Sequence, residues 1–201
     1  GFAPEVVDLR QPLFYLREAL KENNLEDKVR LALDVAATSF YENGFYKVGG
    51  RELAALELLE TYKSLVEEFA LLSIEDPFHE EDFESFSKLN ENHNLLVVGD
   101  DLTVSNSHLL KQAIDRKSIK ALIIKPNQVG TLTETLETMK LARENDVELI
   151  VSHRSGETED DFIADLAYAF GVYGLKAGSP QKVERMIKYR RLIEIANLKN
   201  I

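Results

Sequence analysis

The chain contains no cysteine among its 201 residues. Disulfides, thiolate nucleophiles, zinc–thiolate sites and iron–sulfur clusters are therefore excluded, and any metal must be held by oxygen or imidazole. A cysteine-free chain also fits a reducing compartment. Positive charge is scarce: 24 Lys and Arg stand against 35 Asp and Glu, a net charge of -11 with a pI near 4.9. That balance opposes a phosphate backbone and an anionic lipid surface, so nucleic acid and membrane are not expected partners. No apolar run approaches the roughly 18 residues that span a bilayer, and the first residues lack the basic and apolar regions of a secretory signal. The expected location is the cytoplasm. There is no low-complexity tract, no proline-rich linker and no shift of composition that would mark a second domain. With 44% hydrophobic and 29% charged residues, the chain reads as one sizeable globular domain over residues 1–201.

Short apolar, β-branched runs alternate with longer stretches of helical period, the pattern of repeated strand–helix units and a parallel sheet. Candidate strands are Arg30 to Val35, Leu71 to Ile74, Leu95 to Gly99, Ala121 to Ile124, Glu148 to Val151 and Val172 to Leu175. Leu53, Leu56, Leu59, Tyr62, Leu65 and Phe69 recur at spacings of three or four and make one apolar helix face. Further helices are expected at Gln11 to Asn23, Glu80 to Leu89, Asn106 to Lys117, Thr133 to Glu144, Glu159 to Phe170 and Gln181 to Ala196. Ser105, Thr131 and Thr158 supply polar residues suited to helix starts.

A polar residue stands at the carboxyl end of every candidate strand: Asp34, Glu75, Asp100, Lys125, His153 and Lys176 in turn. A parallel α/β barrel builds its chemistry at that end of its strands. The steps from Glu75 to Asp100 and from Asp100 to Lys125 are both 25 residues, which returns the chain to the same rim. A doubly wound open sheet would also place residues at strand ends, but its glycine-rich phosphate loop follows none of these strands. The expected fold is an α/β barrel of the (β/α) type.

Asp34, Glu75 and Asp100 form an all-oxygen set on neighbouring strands, suited to a hard cation such as Mg2+. Taken singly, each could be a loop residue or a helix cap. Lys125 and Lys176 end later strands, and a lysine becomes a general base when a second ammonium and a metal favour its uncharged form. The same two lysines could instead serve only to balance the carboxylates. Ser152-His153-Arg154-Ser155-Gly156-Glu157-Thr158 lies at a strand-to-helix junction, where a guanidinium, a hydroxyl and backbone N–H groups can take an anion. His79, His93 and His108 read as surface residues. A carboxylate triad, a lysine base and an anion site together suit removal of a proton next to a carboxylate.

At these residues the sequence resembles the enolase (phosphopyruvate hydratase) family. Gly1-Phe2-Ala3-Pro4 is similar to the end of the family's DEGGFAP segment, and Asp34-Val35-Ala36-Ala37 to its DVAAS segment. Ser73-Ile74-Glu75-Asp76-Pro77-Phe78 resembles SIEDPF, and Val98-Gly99-Asp100-Asp101-Leu102-Thr103-Val104 resembles VGDDLTV. Lys125-Pro126-Asn127-Gln128-Val129-Gly130-Thr131 is similar to KxNQIGT, and residues 152–160 read SHRSGETED. Lys176-Ala177-Gly178 matches the segment of the last active-site lysine. Related racemases and cycloisomerases share the triad and lysine but not SHRSGETED.

The resemblance implies reversible dehydration of 2-phosphoglycerate to phosphoenolpyruvate, in glycolysis and gluconeogenesis. It assigns Asp34, Glu75 and Asp100 to the Mg2+ that clamps the substrate carboxylate, and Lys125 to removal of the proton from carbon 2. Lys176 would help bind the carboxylate, Arg154 and Ser155 would hold the phosphate, and His153 would line the pocket. In the family a glutamate that assists loss of the hydroxyl lies two residues before the position matched by Gly1, preceded by an amino-terminal α+β domain and the first barrel strands. The expectation is a carboxyl-terminal part of an enolase barrel with about six of the eight strands. Such a part would turn over poorly alone and would associate with a missing segment or with a second copy. The alternative is a non-catalytic binding or structural protein on an enolase-like scaffold.

Overall fold

The computed structural model describes residues 4–6 and 8–198. The match at Gly1-Phe2-Ala3 lies outside the described residues. The chain divides into two compact units, one taking in the chain up to Leu102 with Gln112–Lys120, the other Thr103–Lys111 and the chain from Ala121 onward.

The first unit opens with α1 (Gln11–Glu22), started by Pro12 in its first turn, where a missing N–H costs nothing. Arg10 ties it down by donating to Glu68 at 2.8 Å and to Ser64 at 3.0 Å. Then follow β1 (Ala32–Asp34), a single 3-10 turn over Ala37–Phe40, β2 (Tyr41–Glu42), β3 (Phe45–Val48), β4 (Arg51–Leu53), α2 (Ala55–Phe69), β5 (Ser73–Glu75), α3 (Phe83–Asn90) and β6 (Leu96–Gly99). β1, β5 and β6 are parallel neighbours in that order, with Asp34 opposite Glu75 and Glu75 opposite Val98. β2, β3 and β4 form a separate antiparallel meander.

The core of this unit lies between α2, α3 and the parallel strands, where Leu58, Ile74, Phe78, Phe86, Leu89 and Val97 are all buried. Burial of each such side chain contributes about 1.5–3 kcal/mol. Phe78 packs edge-on against Tyr46, Tyr62 and Phe86, with ring centroids 6.2, 5.6 and 5.9 Å away. Tyr46 brings the meander into that cluster: it is fully buried, and its hydroxyl accepts the His79 N–H at 2.9 Å.

The meander was not among the sequence expectations, although its turns carry a legible signal. Asn43-Gly44 and Gly49 with Gly50 all have positive φ, as two-residue hairpin turns require. His79 is also less exposed than expected, stacking on Tyr41 at 4.6 Å.

α4 (Ser107–Asp115) is divided between the units. The second unit continues with β7 (Ala121–Ile124), α5 (Pro126–Val129), α6 (Leu132–Glu144), β8 (Glu148–Ser152), α7 (Phe162–Phe170), β9 (Gly174–Lys176) and α8 (Val183–Leu198). β7, β8 and β9 are parallel neighbours, and all four residues of β7 are buried, as strands covered on both faces require. Arg191 on α8 grips Asp165 on α7 through two guanidinium nitrogens, at 2.8 and 2.9 Å. All six expected strands are present, with ends shifted by up to two residues.

Two expected caps are reassigned. At the start of α4 the side chain that accepts N–H groups is Asn106, from His108 and Leu109, because Ser105 is turned inward to the Ile123 carbonyl. α7 begins at Phe162, whose N–H goes to Asp160, while the Thr158 hydroxyl accepts the Asp160 N–H, ahead of the helix. Thr131 does cap α6, accepting the Glu134 N–H at 3.3 Å.

Candidate active site

Every candidate residue of the first unit sits at the carboxyl end of a parallel strand. Asp34 ends β1, Glu75 ends β5, and Asp100 immediately follows β6. Asp34 and Glu75 are register partners. Glu75 and Asp100 are buried, with 7% and 8% of their surface exposed, whereas Asp34 is exposed. Among the described residues one carboxylate group gathers its ligand atoms within 4.8 Å: Asp76, Asp100 and Asp101. It shares only Asp100 with the expected triad.

Asp76 has a different task from the others. Its two carboxylate oxygens accept the backbone N–H groups of Asp100 and Asp101 at 2.9 and 2.8 Å. Its own N–H donates to the Val98 carbonyl at 3.0 Å, and its carbonyl accepts the Ala37 N–H at 3.1 Å. One residue thus ties together the chain after β1, β5 and β6. Burial pushes its carboxyl up to about 7, opposed by the two N–H donors. Asp76 and Ala36 both adopt left-handed backbone, at φ of 43° and 46°. Such conformations in non-glycine residues persist only where the surroundings hold them, and they cluster at functional sites. The carboxylates of Asp76, Asp100 and Asp101 offer only oxygen donors, the kind of set that suits a hard divalent cation.

In the second unit Lys125 follows β7, His153 follows β8 and Lys176 ends β9. Buried Ser105 fixes the start of the Lys125 segment: its hydroxyl accepts the Lys125 N–H at 2.8 Å and donates to the Ile123 carbonyl at 3.1 Å. The price is left-handed backbone at Val104 and Ser105, with φ of 41° and 56°. His153 is joined to β9 twice, since its N–H and its ring Nδ1 both meet the Lys176 carbonyl, at 2.9 and 2.7 Å. A carbonyl only accepts, so Nδ1 carries the proton and the neutral ring keeps Nε2 as an acceptor. Burial lowers the His153 pKa below its ordinary value, with Arg185 and Lys176 acting in the same direction. In the loop that follows, the Glu157 carboxylate accepts the N–H groups of Arg154 and Thr158, both at 3.1 Å. Arg154 is half-buried and Ser155 exposed.

Comparison with known proteins decides the family. The model of the enolase C-terminal TIM barrel domain matches residues 1–199. The chain belongs to the enolase family. It is 47% identical over 195 residues to the enolase of Methanocaldococcus jannaschii, covering 97% of this chain and 46% of that protein. The enolase of Sulfolobus acidocaldarius is 45% identical over 196 residues, covering 97% of this chain and 47% of the relative. For a Campylobacter jejuni enolase the identity is 42% over 197 residues, covering 97% and 48%. The chain spans about half the length of these relatives. Family membership makes the six parallel strands part of an enolase-type (β/α) barrel.

The sequence pattern named the enolase-type rim residues but gave no task to Asp76 and cast Ser105 as a helix cap. Asp76 bonds to residues 24 and 25 positions away, and Ser105 to one 20 away, so no local pattern marks either.

Proposed function

We propose that this chain carries the metal- and substrate-binding residues of an enolase that interconverts 2-phosphoglycerate and phosphoenolpyruvate in the cytoplasm. The observation that supports this reading best is that six chemically suited residues, Asp34, Glu75, Asp100, Lys125, His153 and Lys176, occupy the carboxyl ends of six parallel strands. Asp34, Glu75 and Asp100 would hold Mg2+, which when bound supplies positive charge against the negative charge that builds on the substrate carboxylate as carbon 2 loses its proton. Lys125 takes that proton on Nζ. Lys176 sets its ammonium against the same carboxylate. Arg154 and Ser155 hold the phosphate, the guanidinium through paired N–H donors. His153, neutral and with Nε2 free to accept, lines the pocket as a hydrogen-bond acceptor.

The substrate is a small polyanion, which Lys125, Lys176 and Arg154 would attract locally against a net charge of -11. Among the described residues no helix is long and apolar enough to cross a membrane. Calorimetric titration tests the reading without requiring turnover. 2-Phosphoglycerate should bind in the presence of Mg2+ and weakly in its absence, and Asp100→Asn should remove that coupling. Binding indifferent to Mg2+ would favour a scaffold that has lost the chemistry.

A further inference from the structure

α8 carries a lysine that a solvent-facing role does not explain. Lys188 is fully buried, with its side chain 1% exposed. A lysine ammonium has three donors and no acceptor, and burying one is costly unless each donor is met. Here the donors meet the Thr158 carbonyl at 2.5 Å, the Glu184 carbonyl at 2.7 Å and the Glu157 carboxylate at 3.5 Å. Two of these three acceptors belong to the loop after β8, 30 and 31 residues away in sequence. Glu157 is in turn the residue whose carboxylate accepts the N–H groups of Arg154 and Thr158. The contacts form a chain: α8 holds Lys188, Lys188 holds Glu157 and the Thr158 carbonyl, and Glu157 holds the backbone at Arg154.

We propose that Lys188 is a positioning residue that fixes the loop after β8 in the shape in which Arg154 and Ser155 take a phosphate group. The proposal rests on the reading of that loop as the anion site. Lys188 touches no substrate atom. Its ammonium pairs with a largely buried carboxylate beside the loop, and its contact with Thr158 closes the turn from the far side. Removing it would leave Glu157 unpaired and release the two N–H groups that shape the segment. Displacement of a binding group by about 1 Å is enough to cost up to about 100-fold.

The test compares the 201-residue chain with its Lys188→Met variant, by amide hydrogen exchange at Arg154 and Thr158 and by titration with inorganic phosphate. Both proteins are first shown to be folded by circular dichroism at the working temperature. The expected result is exchange faster by about tenfold at these two amides, unchanged exchange in β7, and phosphate affinity lower by about tenfold. A purely structural lysine would lower the melting point without singling out these amides or the anion. Unchanged exchange, or phosphate affinity equal to the parent protein, overturns the proposal. Should Lys188→Met fail to fold, Glu157→Gln carries the same test, since the amide retains an acceptor for only one of the two N–H groups. Glu157→Gln that binds phosphate normally also overturns it. If the parent protein takes up no phosphate while Lys188→Met still quickens exchange, the anion site falls and the positioning of the loop by Lys188 stands, so the two readings fail separately.

Discussion

Asp76→Asn is the most informative perturbation outside the residues proposed to meet substrate or metal. The substitution keeps the size of the side chain and its place between β5 and the segment after β6. It replaces one of the two acceptor oxygens by an NH2 group facing a backbone N–H. One charge-assisted bond, to Asp100 or Asp101 at 2.9 or 2.8 Å, is lost, and the other becomes a neutral one. A hydrogen bond to a charged group contributes about 1.5–3 kcal/mol, and neutral bonds are roughly half as strong. Against this stands relief from burying a carboxylate, a cost visible in a carboxyl pushed up to about 7. The net loss is about 1–3 kcal/mol, which for a chain of this size lowers the melting point by roughly 3–10 °C. Because the lost contact fixes the backbone of Asp100, Mg2+ affinity should fall by about 10–100-fold, as when partners of metal ligands are removed. Calorimetric Mg2+ titration and a thermal melt on the same sample read both effects. A lowered melting point with Mg2+ affinity unchanged would refute the claim that Asp76 sets the metal ligands and leave it a structural residue.

Three further outcomes follow from particular contacts. Tyr46→Phe leaves the half-buried His79 N–H without its acceptor and should cost about 1 kcal/mol in a thermal or urea melt; an unchanged midpoint would contradict the role of that bond. His153 has a folded-state pKa held below its ordinary value by burial, so its contribution to stability is present above the ordinary histidine pKa and is lost as pH falls through the folded value. The melting point should therefore drop between about pH 7 and pH 5 more steeply in the parent protein than in His153→Asn, and parallel profiles would contradict the assignment. Gly178 has φ of +83°, and a Cβ there would stand 3.3 Å from Arg185 Cδ and 3.4 Å from His153 Cε1. Gly178→Ala should cost about 1–2 kcal/mol in backbone strain and shift the His153 ring resonances; unmoved resonances would show that the ring adapts.

The parallel strands were legible because buried strands leave an unmistakable trace: Ala121–Ile124 is apolar throughout and buried throughout. Their ends were legible for the complementary reason, since Asp34, Glu75, Asp100, Lys125, His153 and Lys176 each interrupt an apolar run with a charged or polar residue. The meander over Tyr41–Leu53 went unread because its strands are two to four residues long and too short for a period to emerge, even though Asn43-Gly44 marks a hairpin. Ser105 looked like a helix cap by residue type, and only the fold shows that its hydroxyl is spent on Lys125 and Ile123 instead. Lys188 was hidden in the same way. A lysine in a helix with four basic neighbours between Lys182 and Arg191 reads as a solvated residue until the acceptors from the loop after β8 come into view.

The central claim is that Lys125 removes the proton from carbon 2 of a phosphorylated hydroxy acid. Exchange of that proton with heavy water, followed by NMR on 2-phosphoglycerate with Mg2+ and the purified chain, reads this step without requiring loss of the hydroxyl. The account predicts Mg2+-dependent loss of the carbon 2 proton signal, slowed by about 100-fold to 10,000-fold in Lys125→Ala. Exchange at the same rate in Lys125→Ala, or none in the parent protein at saturating Mg2+ and substrate, would contradict it.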